Sequence, residues 1–306
     1  MVFVHAPKVS RIKPDLEETH AGCDGMGVIL RKIDMEKILL AMDGYKETTV
    51  AVDFACYLAK LTDSRLVGAF LEGLPDVSAG ESRGGDLPGF AGELAGWPDD
   101  PVLGRIRRFQ ETCVVRDVAA RVHRDRGVPL TEVLKESRFS DLIVVDPETS
   151  FRTMQTEFPG RFLRDVLLAA ECPVIVSPYR FEGVDEVIFA YNGTGSSVFA
   201  IKQFTYLFPV WQDKKAIVVH VSRDGDGFAG EQPGMQEWLS AHYADVDFVD
   251  LKGEASDELF GYLLDKENAV VVLGAYGRGI LSRFLKPSHA SLLLRTINLP
   301  IFIAHR

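Results

Sequence analysis

Apolar residues along this chain fall into two alternating patterns. Short continuous runs of aliphatic residues, bounded by Gly, Pro or Asp, read as strands buried on both faces. Between them, apolar residues recur at three- and four-residue spacing, as on one face of a helix. The runs at 37–42 (KILLAM), 66–71, 120–123, 141–146 (DLIVVD) and 172–177 (CPVIVS) predict five strands. Helices are expected from Thr48 or Thr49 to about Leu61, with Val52, Ala55, Cys56 and Ala59 inward, then over 104–115, 127–138 and 160–170. The series then begins again. Strands are expected at 186–191 (EVIFAY), 216–221 (AIVVHV), 246–251, 269–273 and 300–304. Helices are expected from Ser196 or Ser197 to about Phe208, then over 235–243 and 257–265, with further helical spacing at Leu281, Phe284 and Leu285 and at 292–294.

The recurrence is an internal duplication. Asp43 and Asn192 lie 149 residues apart, and the same offset matches Ala41 with Ala190, Gly44 with Gly193, Tyr57 with Tyr206 and Leu58 with Leu207. Further on the offset is 128, matching Asp146 with Gly274 and Pro159 with Pro287. The difference falls mostly in residues 73–101, rich in Gly, Pro, Asp and Ser, which are too long for an ordinary connection and predict a functional or mobile loop. The fold class expected is α/β: two tandem five-stranded parallel-sheet units with helices on both faces. The boundaries read are an N-terminal arm (1–34), extended or partly ordered against the first unit, then units at 35–180 and 181–306. Met35 directly precedes the first strand, so a start there is an alternative reading of the arm.

Composition narrows the class. The 306 residues carry a net charge of −10, against broad affinity for nucleic acid or anionic membrane. Arg105, Arg107 and Arg108 read as a solvated helix face. No apolar stretch reaches the ~20 residues of a membrane span, and no secretory signal is visible, so the expected location is the cytoplasm. Cys23, Cys56, Cys113 and Cys172 are far apart in sequence and form no C-x-x-C pair, so they read as free thiols with no zinc site. Asn192-Gly193-Thr194 matches a glycosylation acceptor only by accident on this reading. His220, among Val218, Val219 and Val221, reads as a packed strand histidine.

The chemistry-bearing stretch follows the fourth strand of the second unit. Gly274 ends the strand, Gly277 and Arg278 follow, and nine residues (278–286) lead to Pro287-Ser288. Glycine lets bare backbone approach an anion, and amides at a strand-to-helix turn point outward to bind one. This pattern resembles the universal stress protein family, whose ATP-binding members carry G-x2-G-x9-G-[ST] here; Pro287 replaces the third glycine and has no N–H to donate. The order of elements extends the resemblance over 35–306. The resemblance implies an adenine nucleotide (ATP, ADP or AMP, with or without Mg) held in the second unit by Asn192, Val221, Gly274, Gly277, Arg278 and Ser288. Asn192 stands where relatives carry Asp and would read the adenine, Val221 would line the base pocket, and the glycine motif would hold ribose and phosphates. It also implies pairing of the two units through their fifth strands into an intramolecular pseudo-dimer, and leaves further homodimerisation open.

The first unit keeps Asp43 but has Asp146, Thr149 and Pro159-Gly160 where the second has Gly274, Gly277 and Pro287-Ser288. A carboxylate at Asp146 would repel a triphosphate, so the first unit is expected to be empty of nucleotide and Asp146 to serve a local turn. The leading expectation is a stress-response regulator that works as a binding switch through protein partners not identified by sequence. No nucleophile–base–orienter set is visible, which speaks against fast catalysis while leaving slow ATP hydrolysis open. The alternative is an interaction or small-ligand-binding stress protein without nucleotide. An adenine-nucleotide enzyme is the weakest reading, as neither H-x-G-H nor G-x4-G-K-[ST] occurs.

Overall fold

A computed structural model describes residues 2–4 (backbone only), 35–46, 48–73, 100–151, 160–222, 228, 230–275 and 297–304. The chain runs β1 (Val2–Val4), β2 (Lys37–Asp43), α1 (Thr49–Leu61), β3 (Arg65–Leu71), α2 (Pro101–Val115), β4 (Ala120–Asp125), α3 (Pro129–Ser137), β5 (Leu142–Val145), α4 (Arg161–Ala169) and β6 (Val174–Val176). It continues with β7 (Glu186–Tyr191), α5 (Gly195–Leu207), a 3-10 turn at Pro209–Trp211, β8 (Lys215–Ser222), α6 (Gln232–Ser240), β9 (Val246–Lys252), α7 (Ala255–Leu264), β10 (Ala269–Gly274) and β11 (Ile301–Ala304). All ten strands expected from the apolar runs form.

The strands make one eleven-stranded sheet in the order β1-β4-β3-β2-β5-β6-β11-β10-β7-β8-β9. In each half the first strand lies centrally, with the second and third to one side and the fourth and fifth to the other. The halves meet where β6 and β11 pair antiparallel, Ile301 opposite Val176 and Ile303 opposite Val174. Strands within each half are parallel, and β1 adds antiparallel to β4. The pseudo-dimer expected through the fifth strands is thus the centre of the sheet. Neither fifth strand is left as an open edge, so their backbone groups are satisfied within the chain.

Period-two alternation sorts each strand's side chains onto two cores. Ile38, Leu40 and Met42, with Val187, Phe189 and Tyr191, face α1, α2, α5 and α6. Leu39, Ala41, Val271 and Leu273 face α3, α4 and α7. The first core runs through the central pairing, where Ile175 of β6 and Phe302 of β11 stand opposite each other and both belong to it; Phe302 also packs edge-on against Phe204 of α5, with centroids 5.2 Å apart. The segment leading into the second half is held on α1, where Phe181 packs on Phe54 and Tyr57 at 4.9 and 4.7 Å.

Helix starts differ from expectation at several places, and side-chain capping accounts for two of them. α2 starts at Pro101, because the Asp100 carboxylate accepts from Val102 N at 2.9 Å and proline at the first position needs no partner for its nitrogen. α5 starts at Gly195, capped by Thr194 and not by Ser196 or Ser197; its hydroxyl accepts from Ser197 N at 3.4 Å. α6 spans Gln232–Ser240, three residues earlier than expected, with a proline in its first turn. Thr48 does stand at the N-cap position of α1, though its hydroxyl makes no capping bond. The long loop expected at 73–101 and the helical patterns after Gly277 lie almost wholly outside the described residues, as does most of the N-terminal arm.

Candidate functional site: two unequal crevices at the strand ends

In an open parallel sheet, ligands sit beyond the carboxyl ends of the strands, where chain order reverses. That switch falls between β7 and β10 in the second half and between β2 and β5 in the first. In the second half, Tyr191 lies opposite His220 and Phe189 opposite Val272. Asn192 follows Tyr191, Val221 follows His220, and Gly274 ends β10 two residues beyond Val272. The fold therefore brings Asn192, Val221 and Gly274 to one end of three neighbouring strands. Gly277, Arg278 and Ser288, together with Pro287, lie outside the described residues.

Asn192 builds the turn into α5. Its side-chain carbonyl accepts from Thr194 N at 3.2 Å and from the Thr194 hydroxyl at 2.6 Å, and Gly193 between them has φ of +74°, which glycine adopts without strain. The oxygen is thus spent within the chain, and the amide NH2 is the group a ligand would meet. Gly274 has its own constraint. A Cβ there would lie 2.6 Å from the backbone carbon and oxygen of Ser196, so the first turn of α5 sits directly on the end of β10. Val221 is half-buried and packs toward the α7 side. His220 points to the opposite face. Its Nδ1 donates to Asp250 Oδ1 at 2.9 Å, and its ring lies beside Tyr191 and Phe228 at 5.9 and 5.1 Å, so it is packed as expected but also paired.

The first half repeats the turn with different chemistry. Asp43 Oδ1 accepts from Tyr45 N at 2.9 Å, as Asn192 does from Thr194. Asp146 Oδ1 accepts from Glu148 N at 2.7 Å, and Thr149 N donates to the Asp146 carbonyl at 3.0 Å, which is the local turn expected of it. Burial raises both Asp43 and Asp146, partly offset by those amide bonds and by the charge of Lys46. Lys46 Nζ reaches the Glu148 carbonyl at 3.2 Å and so joins the two turns.

Beside these turns lies an ion network that sequence reading did not single out. Glu72, buried just past β3, takes Arg124 Nε on one oxygen and the Tyr45 hydroxyl on the other at 3.4 Å. Arg124 also donates to Asp100 Oδ2 at 2.7 Å, and Arg126 approaches Glu72 at 3.5 Å. Desolvation alone would raise Asp100, but the bonds from Arg124 and Val102 hold it below the ordinary carboxylate range. The signal available in sequence was charge immediately after buried runs: Glu72 after β3 and Arg124-Asp125-Arg126 at the end of β4. Arg105 corrects the reading of a solvated basic face, since its guanidinium bonds the Tyr45 carbonyl at 2.7 Å; Arg107 and Arg108 are exposed. Buried hydroxyls without a partner among the described residues occur at both crevices: Tyr191 and Ser222 in the second, Thr149 in the first. No group of three or more His, Cys, Asp or Glu among the described residues is placed to hold a metal ion. No described helix is long and apolar enough to cross a membrane.

A doubly wound α/β chain with paired crevices at its switch points is the class these observations define. No protein-family model and no curated protein sequence matches the chain. Solved structures do. A universal stress protein from Archaeoglobus fulgidus DSM 4304 aligns over 88% of this chain and 98% of its own, at 16% identity and a TM-score of 0.63. A functionally unknown protein from Pseudomonas aeruginosa PAO1 aligns over 89% and 92%, at 12% identity and a TM-score of 0.57. A candidate universal stress protein from P. aeruginosa UCBPP-PA14 aligns over 89% and 93%, at 12% and 0.56. The chain has the universal stress protein fold, present twice in tandem.

Proposed function

We propose that this chain is a tandem universal stress protein that binds an adenine nucleotide in its second half only, and acts as a regulatory binding switch. The observation that carries this is the contrast between the two crevices. The first is lined by the buried carboxylate of Asp43 and the half-buried one of Asp146 and flanked by the Glu72–Arg124–Asp100 network, which would repel and exclude a polyphosphate. The second presents the uncharged Asn192 and Val221 beside Gly274, at the end of the strand that leads into Gly277, Arg278 and Ser288. Nucleotide would order that following segment and change a surface read by a partner. Binding and release, with no proton or group transfer, is the activity this residue set serves, in the cytoplasm.

The test is titration of the full chain with ATP and magnesium, followed by calorimetry. One nucleotide per chain is expected, lost in Gly277→Glu with the thermal transition unchanged, and retained in Asp146→Gly. Equal loss in both variants, or two nucleotides per chain, would refute the assignment.

A second reading is a stress protein of this fold that binds no nucleotide and works by contact alone. Two observations favour it. The close approach of Ser196 already requires glycine at Gly274, and Thr194 already engages the Asn192 oxygen. Failure of the wild-type chain to bind ATP, ADP or AMP would select it.

A further inference from the structure

Two cysteines far apart in sequence meet inside the first half. Cys56 on α1 and Cys113 near the end of α2 place their sulfur atoms 3.7 Å apart, and both side chains are buried. A disulfide needs about 2.05 Å between sulfurs, so less than about 2 Å of approach separates the two states. Cys56 also borders a groove of about 880 Å³ between the two helices, rimmed by Lys60, Arg108 and Arg116. Arg116 pairs with Asp53 across the groove at 2.6 Å, and Lys60 Nζ bonds the Arg116 carbonyl at 3.3 Å.

We propose that Cys56 and Cys113 form a redox-active dithiol, oxidised by hydroperoxides to a disulfide that staples α1 to α2. The two thiols are not equivalent. The hydrogen bond shared with Cys113, supported by the charge of Arg116, holds the Cys56 thiol below its ordinary range against the effect of burial. The same bond, together with burial, pushes the Cys113 thiol up. Cys56 lines the groove beside Arg116 and Cys113 does not, so Cys56 is the attacking sulfur and Cys113 the resolving one. The Cys56 thiolate attacks one peroxide oxygen, the O–O bond breaks, and the second oxygen leaves with a proton as water or an alcohol. Cys113 sulfur then attacks the Cys56 sulfenic acid, the S–O bond breaks, and the hydroxyl leaves as water with the Cys113 proton. Two electrons pass from the thiols to the peroxide. The new bond spans 57 residues and restrains the unfolded chain. It also fixes the helix that Asp100, the partner of Arg124, caps at its start.

The test is a peptide map of the reduced wild-type chain before and after hydrogen peroxide, alkylated under denaturing conditions. Tryptic peptides 47–60 and 109–116 each contain one cysteine. The expected product is the two joined, about 2 Da lighter than their sum and separated again by dithiothreitol. The thermal transition of the oxidised chain should rise by several degrees. Cys113→Ser should accumulate Cys56 sulfenic acid that dimedone traps. Recovery of both peptides as alkylated thiols, under peroxide that fully oxidises a solvent-exposed thiol, would overturn the proposal. So would cross-linking of either to Cys23 or Cys172 instead. If Cys113→Ser does not fold, the wild-type map alone decides.

Discussion

Gly274 and Ser196 are as close as backbone allows. A methyl group on Gly274 would stand 2.6 Å from the Ser196 carbonyl carbon and oxygen, well inside contact distance, and 2.7 Å from Ser197 N. The obstruction is main chain, capped and packed, so it cannot swing aside as a side chain would. Gly274→Ala is expected to destabilise the protein by about 1–3 kcal/mol, the usual cost of overpacking a tight site. Urea unfolding without ligand measures it. Unchanged stability would show that α5 yields at its first turn.

Glu72 depends on Arg124 in the same local way. Its side chain is 8% exposed, and Arg124 supplies the closest countercharge. Arg124→Met leaves a buried carboxylate with only Tyr45 and the mostly exposed Arg126 nearby, which should cost about 3–5 kcal/mol. The double variant Arg124→Met with Glu72→Leu should recover most of that loss, because no buried charge remains. Chemical denaturation of the three variants separates these outcomes.

Acid sensitivity should come largely from Glu136. His123 Nδ1 and Lys37 Nζ bond its two oxygens, each at 2.8 Å, tying α3 to β4 and β2, and hold it down at about 2. A depressed carboxylate contributes stability above its unfolded value and loses it as pH falls through the folded one. The wild-type chain should therefore lose on the order of 2–3 kcal/mol between about pH 5 and pH 2 at this site. Glu136→Gln should flatten that limb. Asp146 has the opposite sign: raised by burial, it destabilises the fold as pH climbs past the ordinary carboxylate value. Asp146→Asn keeps an oxygen for Glu148 N, so its stability should exceed wild type at pH 7 and converge with it near pH 4.

Asn192 offers a gain-of-function check on the nucleotide proposal. Aspartate at this position would still accept from Thr194 and would add an ionised acceptor for an adenine amino group. The amide NH2 offers the adenine amino group no acceptor, whereas a hydrogen bond to a charged oxygen is worth about 1.5–3 kcal/mol, so Asn192→Asp should tighten ATP binding by roughly 10-fold or more. Calorimetry reads this directly. Weaker binding would mean that the adenine sits elsewhere.

The elements and their duplication were legible in one dimension. Short aliphatic runs such as 37–42 and 269–273, bounded by turn residues, read as strands buried on both faces, and the constant offset from Asp43 to Asn192 placed the same turn twice. The sequence also located the crevices, because parallel strands joined through helices fix which ends carry ligands. What it did not contain were relationships between side chains distant in sequence. Cys56 and Cys113 read as unrelated thiols until α1 and α2 packed side by side. Glu72, Asp100 and Arg124 read as ordinary loop and strand-end charges until β3, β4 and the start of α2 converged. Gly274 read as a ligand glycine, and only the placement of α5 gave it a packing reason. Periodicity is set by local backbone geometry and survives in one dimension; close approach and charge pairing are set by how the layers stack, which tertiary structure alone decides.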